Sequence, residues 1–196
     1  MSNEKNERLN EKGQTLEEFL AGYDLKKYDR PSVTVDNVVI ASVEGRPAVL
    51  LIKRRNHPFI GCWALPGGFL EMDESLEDGA VRELFDETGV TGVSPKQLGA
   101  YGDPGRDPRG RIITVAFLME LPEGAVPKAA DDAADAGLFF IEADESRITL
   151  IHTVTGESVK VPYGFKDGRA EFIPAEDIAC DHGRMLADAL RKLGMI

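Results

Sequence analysis

The chain has 196 residues and a formal net charge of −11, and 42% of its residues are hydrophobic and 29% charged. This length and composition are typical of one soluble globular domain with short extensions. Because strong acidity disfavours binding to nucleic acid backbones and to anionic membranes, we expect neither as a partner.

The first 30 residues predict a tail and a short helix. Residues 1–14 are polar and have no apolar periodicity, which is typical of a mobile tail. Residues 15–28 carry apolar side chains at helical spacing, which predicts a short docking helix. These side chains are Leu16, Phe19, Leu20 and Tyr23. Because the residue before Pro31 is disfavoured in a helix, we place the start of the main domain, residues 31–196, there.

The main domain alternates predicted strands with two helices. Segments rich in β-branched or aromatic residues predict strands at 32–41, 48–53, 97–102, 112–121, 138–141 and 148–161, the last as a hairpin. Apolar periodicity predicts helices at 75–88 and 182–193. This order predicts an α/β (α+β) sandwich. We assign residues 148–173 to a β-hairpin insertion, which either forms a homodimer interface or covers the site.

The helix at 75–88 carries an acidic stripe. Glu83, Asp86 and Glu87 fall on one face because their spacings are i, i+3 and i+4. Like charges at these spacings cost roughly 0.2–0.5 kcal/mol per pair in an isolated helix. The stripe is either a solvated helix face or a site for a divalent cation. Its hard oxygen ligands would favour Mg²⁺, with Mn²⁺ as the alternative.

The spacing around the stripe favours the cation site. Residues 67–90, GGFLEMDESLEDGAVRELFDETGV, fit the pattern G-x5-E-x7-R-E-U-x-[E/D]-E-x-G-U, in which U is aliphatic. The fixed positions are Gly68, Glu74, Arg82, Glu83, Leu84, Asp86, Glu87, Gly89 and Val90. This segment resembles the Nudix box, although Asp86 stands where that family usually has glutamate. Gly79 is unexpected within the helix, and we interpret it either as neutral variation or as space for a ligand.

The resemblance implies the Nudix α/β/α sandwich with a mixed β-sheet, and it implies a metal site. Glu83 and Glu87 match the family's principal metal carboxylates, and Asp86 matches an auxiliary one. The carbonyl group of Gly67 matches a ligand supplied just before the box. The implied reaction is attack of a metal-activated water on a pyrophosphate phosphorus.

The other matching positions imply support of this site. Glu74 and Arg82 match a pair that ties the loop at Gly68 to the helix, which is a mainly structural role. We take Glu83, Glu87 and Arg82 as the candidate catalytic residues.

A loop after the box carries three arginines within six residues: Arg106, Arg109 and Arg111. Their forked donors suit phosphate or a terminal phosphoribose. With GCWALPGGF before it and RIITVAFL after it, this loop is similar to the ADP-ribose pyrophosphatase branch of the family. The resemblance implies hydrolysis of ADP-ribose to AMP and ribose 5-phosphate, with these arginines binding the substrate.

The general base has two candidate sources. One is Glu87 itself, and the other is an acid of residues 129–137, which we expect to be a flexible segment. Its acids are Asp131, Asp132 and Asp135.

For the remaining polar and aromatic side chains near the box we expect mainly structural roles. Trp63 is predicted to lie in the core rather than to stack on a base. His57 and His182 are predicted to be surface or capping residues. Arg54 and Arg55 follow a strand, where they either face phosphate or simply end the strand.

Two other functions stay open. One is a Nudix hydrolase of a nucleoside triphosphate, a dinucleotide polyphosphate or NADH. The other is a non-catalytic module that senses ADP-ribose, as in certain transcriptional regulators, although the chain has no basic recognition segment.

Localisation is predicted from the cysteines and the N-terminus. Cys62 and Cys180 are distant in sequence, which suits free thiols in a reducing compartment. The polar N-terminus excludes a secretory signal on composition. We therefore expect a cytoplasmic protein.

Overall fold

A computed structural model describes residues 8–131 and 133–196, and the chain divides into two units, residues 1–30 and 31–196. In the first unit, α1 (Leu16–Ala21) begins at a capping box formed by Thr15 and Glu18, which confirms a helix in the first part of the predicted range 15–28. Residues 22–28 are not helical. Its side chains are not buried, and the four apolar residues on which the helix prediction rested are 43–66% exposed. Residues 1–7 of the predicted tail lie outside the described residues.

In its described part, the second unit forms eleven strands and two helices. The strands are β1 (Ser32–Val43), β2 (Arg46–Arg54), β3 (Trp63–Ala64), β4 (Gly67–Phe69), β5 (Lys96–Tyr101), β6 (Ile112–Glu120), β7 (Ala133–Ala143), β8 (Arg147–His152), β9 (Ser158–Pro162), β10 (Phe165–Lys166) and β11 (Arg169–Ala170). The helices are α2 (Leu76–Thr88) and α3 (His182–Lys192).

Nine strands form one mixed sheet, whose main path runs β5-β6-β1-β2-β7-β8-β9. The pair β1–β6 is parallel, and the other pairs are antiparallel. β3 is added to β2 and β4 to β1, while β10 and β11 pair only with each other. The predicted mixed-sheet sandwich is confirmed. Within the described ranges no helix is both long and apolar enough to cross a membrane.

Alternation along β1 separates the two helical layers. Val35 and Val39 belong to a buried cluster with Leu84 of α2, whereas Val38 belongs to the cluster that contains Met185 of α3. Successive side chains of a strand point to opposite faces, so one strand supplies both cores.

The same alternation places two adjacent polar residues in different surroundings. The Asn37 amide donates to the carbonyl oxygen of Ala80 in α2 at 2.9 Å, with Asn37 fully buried. Its neighbour Asp36 faces the other layer, where Thr114 Oγ1 donates to its carboxylate. The register of β1 therefore decides which polar group meets α2.

The helix predicted at 75–88 is confirmed as α2. Ser75 Oγ accepts the Asp78 N–H at the N-terminus, and Gly89 ends the helix in the left-handed conformation with φ of 69°. Leu84 is fully buried, whereas Phe85 on the next position is 50% exposed. The helix is therefore held by its Leu84 face.

The expectation of a flexible segment at 129–137 is wrong for residues 133–137. These residues begin β7 and pair with β2, from Ala133 opposite Arg54 to Gly137 opposite Leu51. Just before them, the Lys128 and Ala130 N–H groups donate to carbonyl groups at the end of α2. The last carbonyl groups of a helix have no hydrogen-bond partner within the helix. The bonds from Lys128 and Ala130 supply such partners and hold residues 128–130 against the end of α2.

The prediction that Trp63 lies in the core is confirmed. Its side chain is 1% exposed, and its ring meets the edge of Phe139 with 4.7 Å between centroids.

Leu84→Ala should lower the free energy of unfolding by about 2–5 kcal/mol, because it leaves a cavity between α2 and the sheet. Phe85→Ala is the matched control on the solvent side of the same helix and should cost under about 1 kcal/mol. Urea titration of both variants measures the difference. Equal losses would show that α2 is not packed through Leu84.

Candidate active site

A cleft of about 350 Å³ brings together most of the site residues predicted from the sequence. Its lining includes Gly67, Gly68, Arg82, Glu83, Asp86, Glu87, Arg106 and Arg109. Glu74 and Arg111 are not part of this lining. The strands β1, β2 and β4, the helix α2 and the start of α3 supply its walls.

Two glycines let the loop of β4 lie directly against β1 and α2. In this pairing Gly67 stands opposite Asp36 and Gly68 opposite Val35. A Cβ atom on Gly67 would collide with the Val35 carbonyl oxygen, and one on Gly68 would lie 2.6 Å from the Glu83 carboxylate. Only glycine allows this approach, which brings the Gly67 backbone next to the acidic stripe.

Glu87 is a buried carboxylate held by this loop. The Gly67 N–H donates to Glu87 Oε2 at 2.8 Å, and Glu87 is only 6% exposed. Burial raises the pKa of Glu87 to about 8, and the nearby charges of Glu83 and Asp36 also raise it, while the Gly67 bond opposes the change. The site therefore holds a desolvated acid that a cation would stabilise in its charged form.

Arg82 ties the glycine loop to the helix. Its guanidinium donates to Glu74 at 2.6 and 2.9 Å, to Glu83 at 2.8 Å and to the Phe69 carbonyl oxygen at 3.0 Å. Asp86 lies 3.6 Å away. The Arg82 bonds hold the pKa of Glu74 near 2, whereas burial raises the pKa of Glu83 despite Arg82.

Gly79 has a packing role that neither sequence interpretation foresaw. A Cβ atom at this position would lie 2.8 Å from Leu70 Cδ1 and 2.9 Å from Glu74 Oε1. Gly79 is buried and does not line the cleft. The space beside Gly79 is filled by the side chains of Leu70 and Glu74, not by a ligand.

The donor set of the acidic stripe fits a hard divalent cation. Glu83, Asp86 and Glu87 offer carboxylate oxygens beside the backbone of Gly67, and such oxygens are preferred by Mg²⁺ and Mn²⁺. In the part of the chain that the structure describes, no three Asp, Glu, His or Cys side chains already converge as a metal cluster. Glu83 is instead engaged by Arg82.

Arg106 is buried in an ion pair. Its guanidinium makes three hydrogen bonds of 2.6–3.1 Å to Asp181, and the two side chains are 4% and 1% exposed. Burial alone would raise the pKa of Asp181, but the Arg106 bonds hold it below its usual value. Arg106 thus lines the cleft, while its hydrogen bonds to Asp181 hold the arginine-bearing loop against the start of α3.

Arg109 and Arg111 differ in their position. Arg109 is bonded to Asp107 at 2.7 and 3.0 Å, remains 41% exposed and lies 5.1 Å from the centroid of the Phe69 ring. Arg111 donates instead to the Gly102 carbonyl group outside the cleft lining. Arg109 is therefore the best placed of the three for an anionic ligand.

Several cleft residues were missed or given other roles in the sequence analysis. Asp36 and His182 lie in the lining, so the expectation that His182 is a surface or capping residue is wrong. Arg54 and Arg55, for which the sequence left open whether they face phosphate or end the strand, also line the cleft and donate to the carbonyl groups of Pro58 and Ala133. An Asp-Asn pair inside an otherwise apolar strand was the available signal for Asp36.

The acids considered as a general base are separated by the structure. Asp131 lines the cleft, with φ of 46°. Asp135 lies in β7 and is not part of the lining. Asp132 lies outside the described residues.

In metal-free buffer, the stability of the wild-type protein should fall more steeply between pH 4.5 and 8 than that of Glu87→Gln. A carboxyl whose folded-state pKa is raised to about 8 binds a proton more tightly when folded, so its contribution is present below pH 4.5 and is lost as the pH rises towards 8. The expected wild-type excess loss is a few kcal/mol, at about 1.4 kcal/mol per pKa unit.

Urea unfolding in chelator at three pH values measures these slopes. Added Mg²⁺ should restore stability to the wild type at pH 8 and much less to Glu87→Gln. Identical slopes for the two proteins would contradict the assignment of the buried charge.

Comparison with known proteins agrees with this geometry. Residues 31–157 match the family model described as NUDIX domain. An ADP-ribose pyrophosphatase from Methanocaldococcus jannaschii is 45% identical over 119 residues, which cover 59% of this chain and 68% of that protein. The ADPR responsive transcriptional repressor NtrR from Acinetobacter baylyi is 40% identical over 102 residues, which cover 51% of this chain and 41% of the repressor.

A solved structure extends the likeness to the fold. The cocrystal structure of the NUDIX domain of Shewanella oneidensis NrtR with ADP ribose has a TM-score of 0.68 and 29% identity, covering 92% of this chain and 99% of that chain. The family model spans more than half of the sequence, and the box occupies the loop and helix that line the cleft. The chain belongs to the Nudix family.

Proposed function

We propose that this Nudix hydrolase cleaves ADP-ribose with water to AMP and ribose 5-phosphate in a divalent-cation-dependent reaction. The observation that carries the proposal is a single cleft in which the desolvated carboxylates of Glu83 and Glu87 share the lining with the exposed guanidinium of Arg109. Carboxylates can hold a cation while arginine binds a phosphate group. The names of the relatives and the ADP ribose complex support this substrate.

The proposed reaction moves one phosphate group to water. Mg²⁺, or alternatively Mn²⁺, would neutralise phosphate charge and lower the pKa of the attacking water when bound. The water oxygen bonds to phosphorus, the bond from phosphorus to the bridging oxygen breaks, and the departing phosphate takes the electron pair. The water proton passes to a carboxylate, for which Glu87 and Asp131 are the candidates in the cleft.

The residues of the box supply the cation site and its support. The proposed ligands are the carboxylates of Glu83, Asp86 and Glu87 and the carbonyl group of Gly67. The Gly67 N–H and the Arg82–Glu74 pair keep the loop against α2. Their role is to hold the ligands at a fixed separation before the substrate arrives.

Phosphate binding is assigned first to Arg109, and then to Arg54 and Arg55, because all three line the cleft. Arg106 is assigned a supporting role, since its hydrogen bonds go to Asp181. Arg111 is the weakest candidate because it lies outside the lining.

A sensing module is the second candidate function. The similarity to an ADPR responsive repressor favours it, since such a protein needs to bind ADP-ribose. The complete acidic set of Glu83, Asp86 and Glu87 favours hydrolysis, because simple binding of an anion gains nothing from three carboxylates. Nudix hydrolysis of a nucleoside triphosphate, a dinucleotide polyphosphate or NADH is a further alternative.

The proposed partners follow from charge and from the position of the hairpin. A net charge of −11 disfavours nucleic acid and membrane partners. The arginines that line the cleft support a small nucleotide ligand instead. Residues 148–173 extend the sheet to the edge strand β9, and none of the described lining residues belongs to them, which supports a homodimer interface over a cover. The free thiols Cys62 and Cys180 support a cytoplasmic location.

Wild-type protein with Mg²⁺ or Mn²⁺ should release AMP from ADP-ribose, and Glu87→Gln should reduce kcat at least about a hundredfold, since it removes a charged ligand. Glu77→Gln is the matched control, because Glu77 is exposed on the first turn of α2 and does not line the cleft. A panel of nucleotides resolved by chromatography scores the products. Brisk turnover of dGTP with none of ADP-ribose would overturn the substrate, and a Glu87→Gln rate within threefold of wild type would overturn the cation site.

Arg106→Ala should cost about 3–5 kcal/mol of stability, because it leaves the Asp181 carboxylate buried without its partner. Arg109→Ala should cost less stability than Arg106→Ala, because the buried Asp107 keeps its bond from the backbone N–H of residue 109, and it should raise KM for ADP-ribose roughly tenfold, as the loss of a charged hydrogen bond predicts. Urea unfolding and steady-state kinetics separate the two effects. The assignment fails if Arg106→Ala keeps wild-type stability while raising KM.

A further inference from the structure

Two polar side chains in the cleft have no role in the chemistry described so far. Asp36 comes from the middle of β1, and His182 is the first residue of α3. Both line the cleft, although their side chains are only 8% and 11% exposed. Buried polar groups that face a ligand cleft are candidates for specific contacts.

Asp36 is held in one orientation by the sheet. Thr114 of the parallel neighbour β6 is fully buried, and its hydroxyl donates to Asp36 Oδ2 at 2.5 Å. The other carboxylate oxygen, Oδ1, is the one nearer to His182. The strand pairing thus fixes an acceptor beside the Gly67 loop, which stands opposite Asp36.

His182 is oriented by the backbone of the adjacent loop. The Leu65 N–H donates to His182 Nδ1 at 2.9 Å, so the proton of the neutral ring is on Nε2. Burial lowers the pKa of His182, which keeps the ring neutral, although the neighbouring Asp36 opposes the change. The ring therefore presents an Nε2–H donor.

The donor and the acceptor face each other without bonding directly. His182 Nε2 and Asp36 Oδ1 are 3.7 Å apart, which is longer than an N–H···O hydrogen bond. Both groups are already fixed from behind, by Leu65 and Thr114 respectively. A third group that can accept from one and donate to the other would satisfy both.

A sugar hydroxyl is such a group, whereas a phosphate oxygen would be repelled by the carboxylate. We propose that Asp36 and His182 together bind a hydroxyl group of the second ribose of ADP-ribose, the one that is not attached to adenine. This inference rests on the proposed function. Asp36 and His182 lie beside the Gly67 loop, where the diphosphate would bind. The side chains of Asp36 and His182 are far less exposed than Phe69, another lining residue, which is 45% exposed.

His182→Asn tests the proposal. The shorter amide can still accept the Leu65 N–H but lacks the Nε2–H donor. Calorimetry in chelator should show that the wild type binds ADP-ribose more tightly than ADP, which has no second ribose. The variant should bind ADP-ribose at least tenfold more weakly and ADP within twofold of wild type.

His152→Asn is the matched control. His152 is also buried and its Nδ1 also accepts backbone N–H groups, from Val154 and Thr155, but it lies outside the cleft lining. It should change thermal stability without changing the preference for ADP-ribose over ADP. Equal effects of His152→Asn and His182→Asn on binding would overturn the proposal.

Asp36→Asn separates a hydroxyl contact from a cation contact. Combined with His182→Asn it should weaken ADP-ribose binding little more than either single change, because both remove the same bridged contact. Titration with Mn²⁺ alone should give wild-type affinity for His182→Asn and at most a threefold loss for Asp36→Asn. A larger loss would assign Asp36 to the cation instead and overturn the proposal.

The outcome is distinguishable from failure of the proposed function. Binding in chelator needs no turnover. A wild type that prefers ADP-ribose over ADP but does not hydrolyse it would therefore contradict the proposed hydrolysis and leave the proposed Asp36–His182 contact standing. A wild type with no preference for ADP-ribose over ADP would overturn the contact, whatever its turnover.

Discussion

The hydrogen bond from the Gly67 N–H to the buried Glu87 carboxylate joins the central sheet to α2 at the base of the cleft. Glu87 is 6% exposed, and leaving such a buried group unpaired would cost about 1–3 kcal/mol or more. Because β4 pairs with β1 and Glu87 belongs to α2, this bond, together with those of Arg82, sets the separation between the glycine loop and the helix. The cleft and the acidic stripe depend on that separation.

The negative charge of the acidic stripe is only partly neutralised by the neighbouring arginine side chain. Arg82 is the guanidinium that contacts Glu74 and Glu83 and lies near Asp86, so these four side chains remain net negative. Burial disfavours the charged form of Glu87, so this residue adds to the field once a cation stabilises its carboxylate. For the proposed anionic substrate to bind here, a cation would have to offset this charge, and the residual negative potential would attract one.

Local patterns predicted α2 and its glycine loop because all their determinants lie within one short segment, from Gly67 to Val90. Partners distant in sequence were not predictable in this way. Arg106 can be read from the sequence, but its ion pair with Asp181 cannot. The acidic residues 129–137 suggested flexibility, because nothing local reveals that Ala133 pairs with β2. Asp36 was passed over because a strand pattern does not say which face lines a cleft.

The register of β1 has a consequence for how such a protein could change over generations. Adjacent residues there serve opposite layers, with Asp36 in the cleft and Asn37 beneath α2. Inserting or deleting one residue earlier in the strand would exchange the carboxylate and the amide. The cleft would then lose an acid, and a charge would lie unpaired under the helix. A change of length is therefore far more damaging within β1 than at the exposed turn of residues 154–157 between β8 and β9.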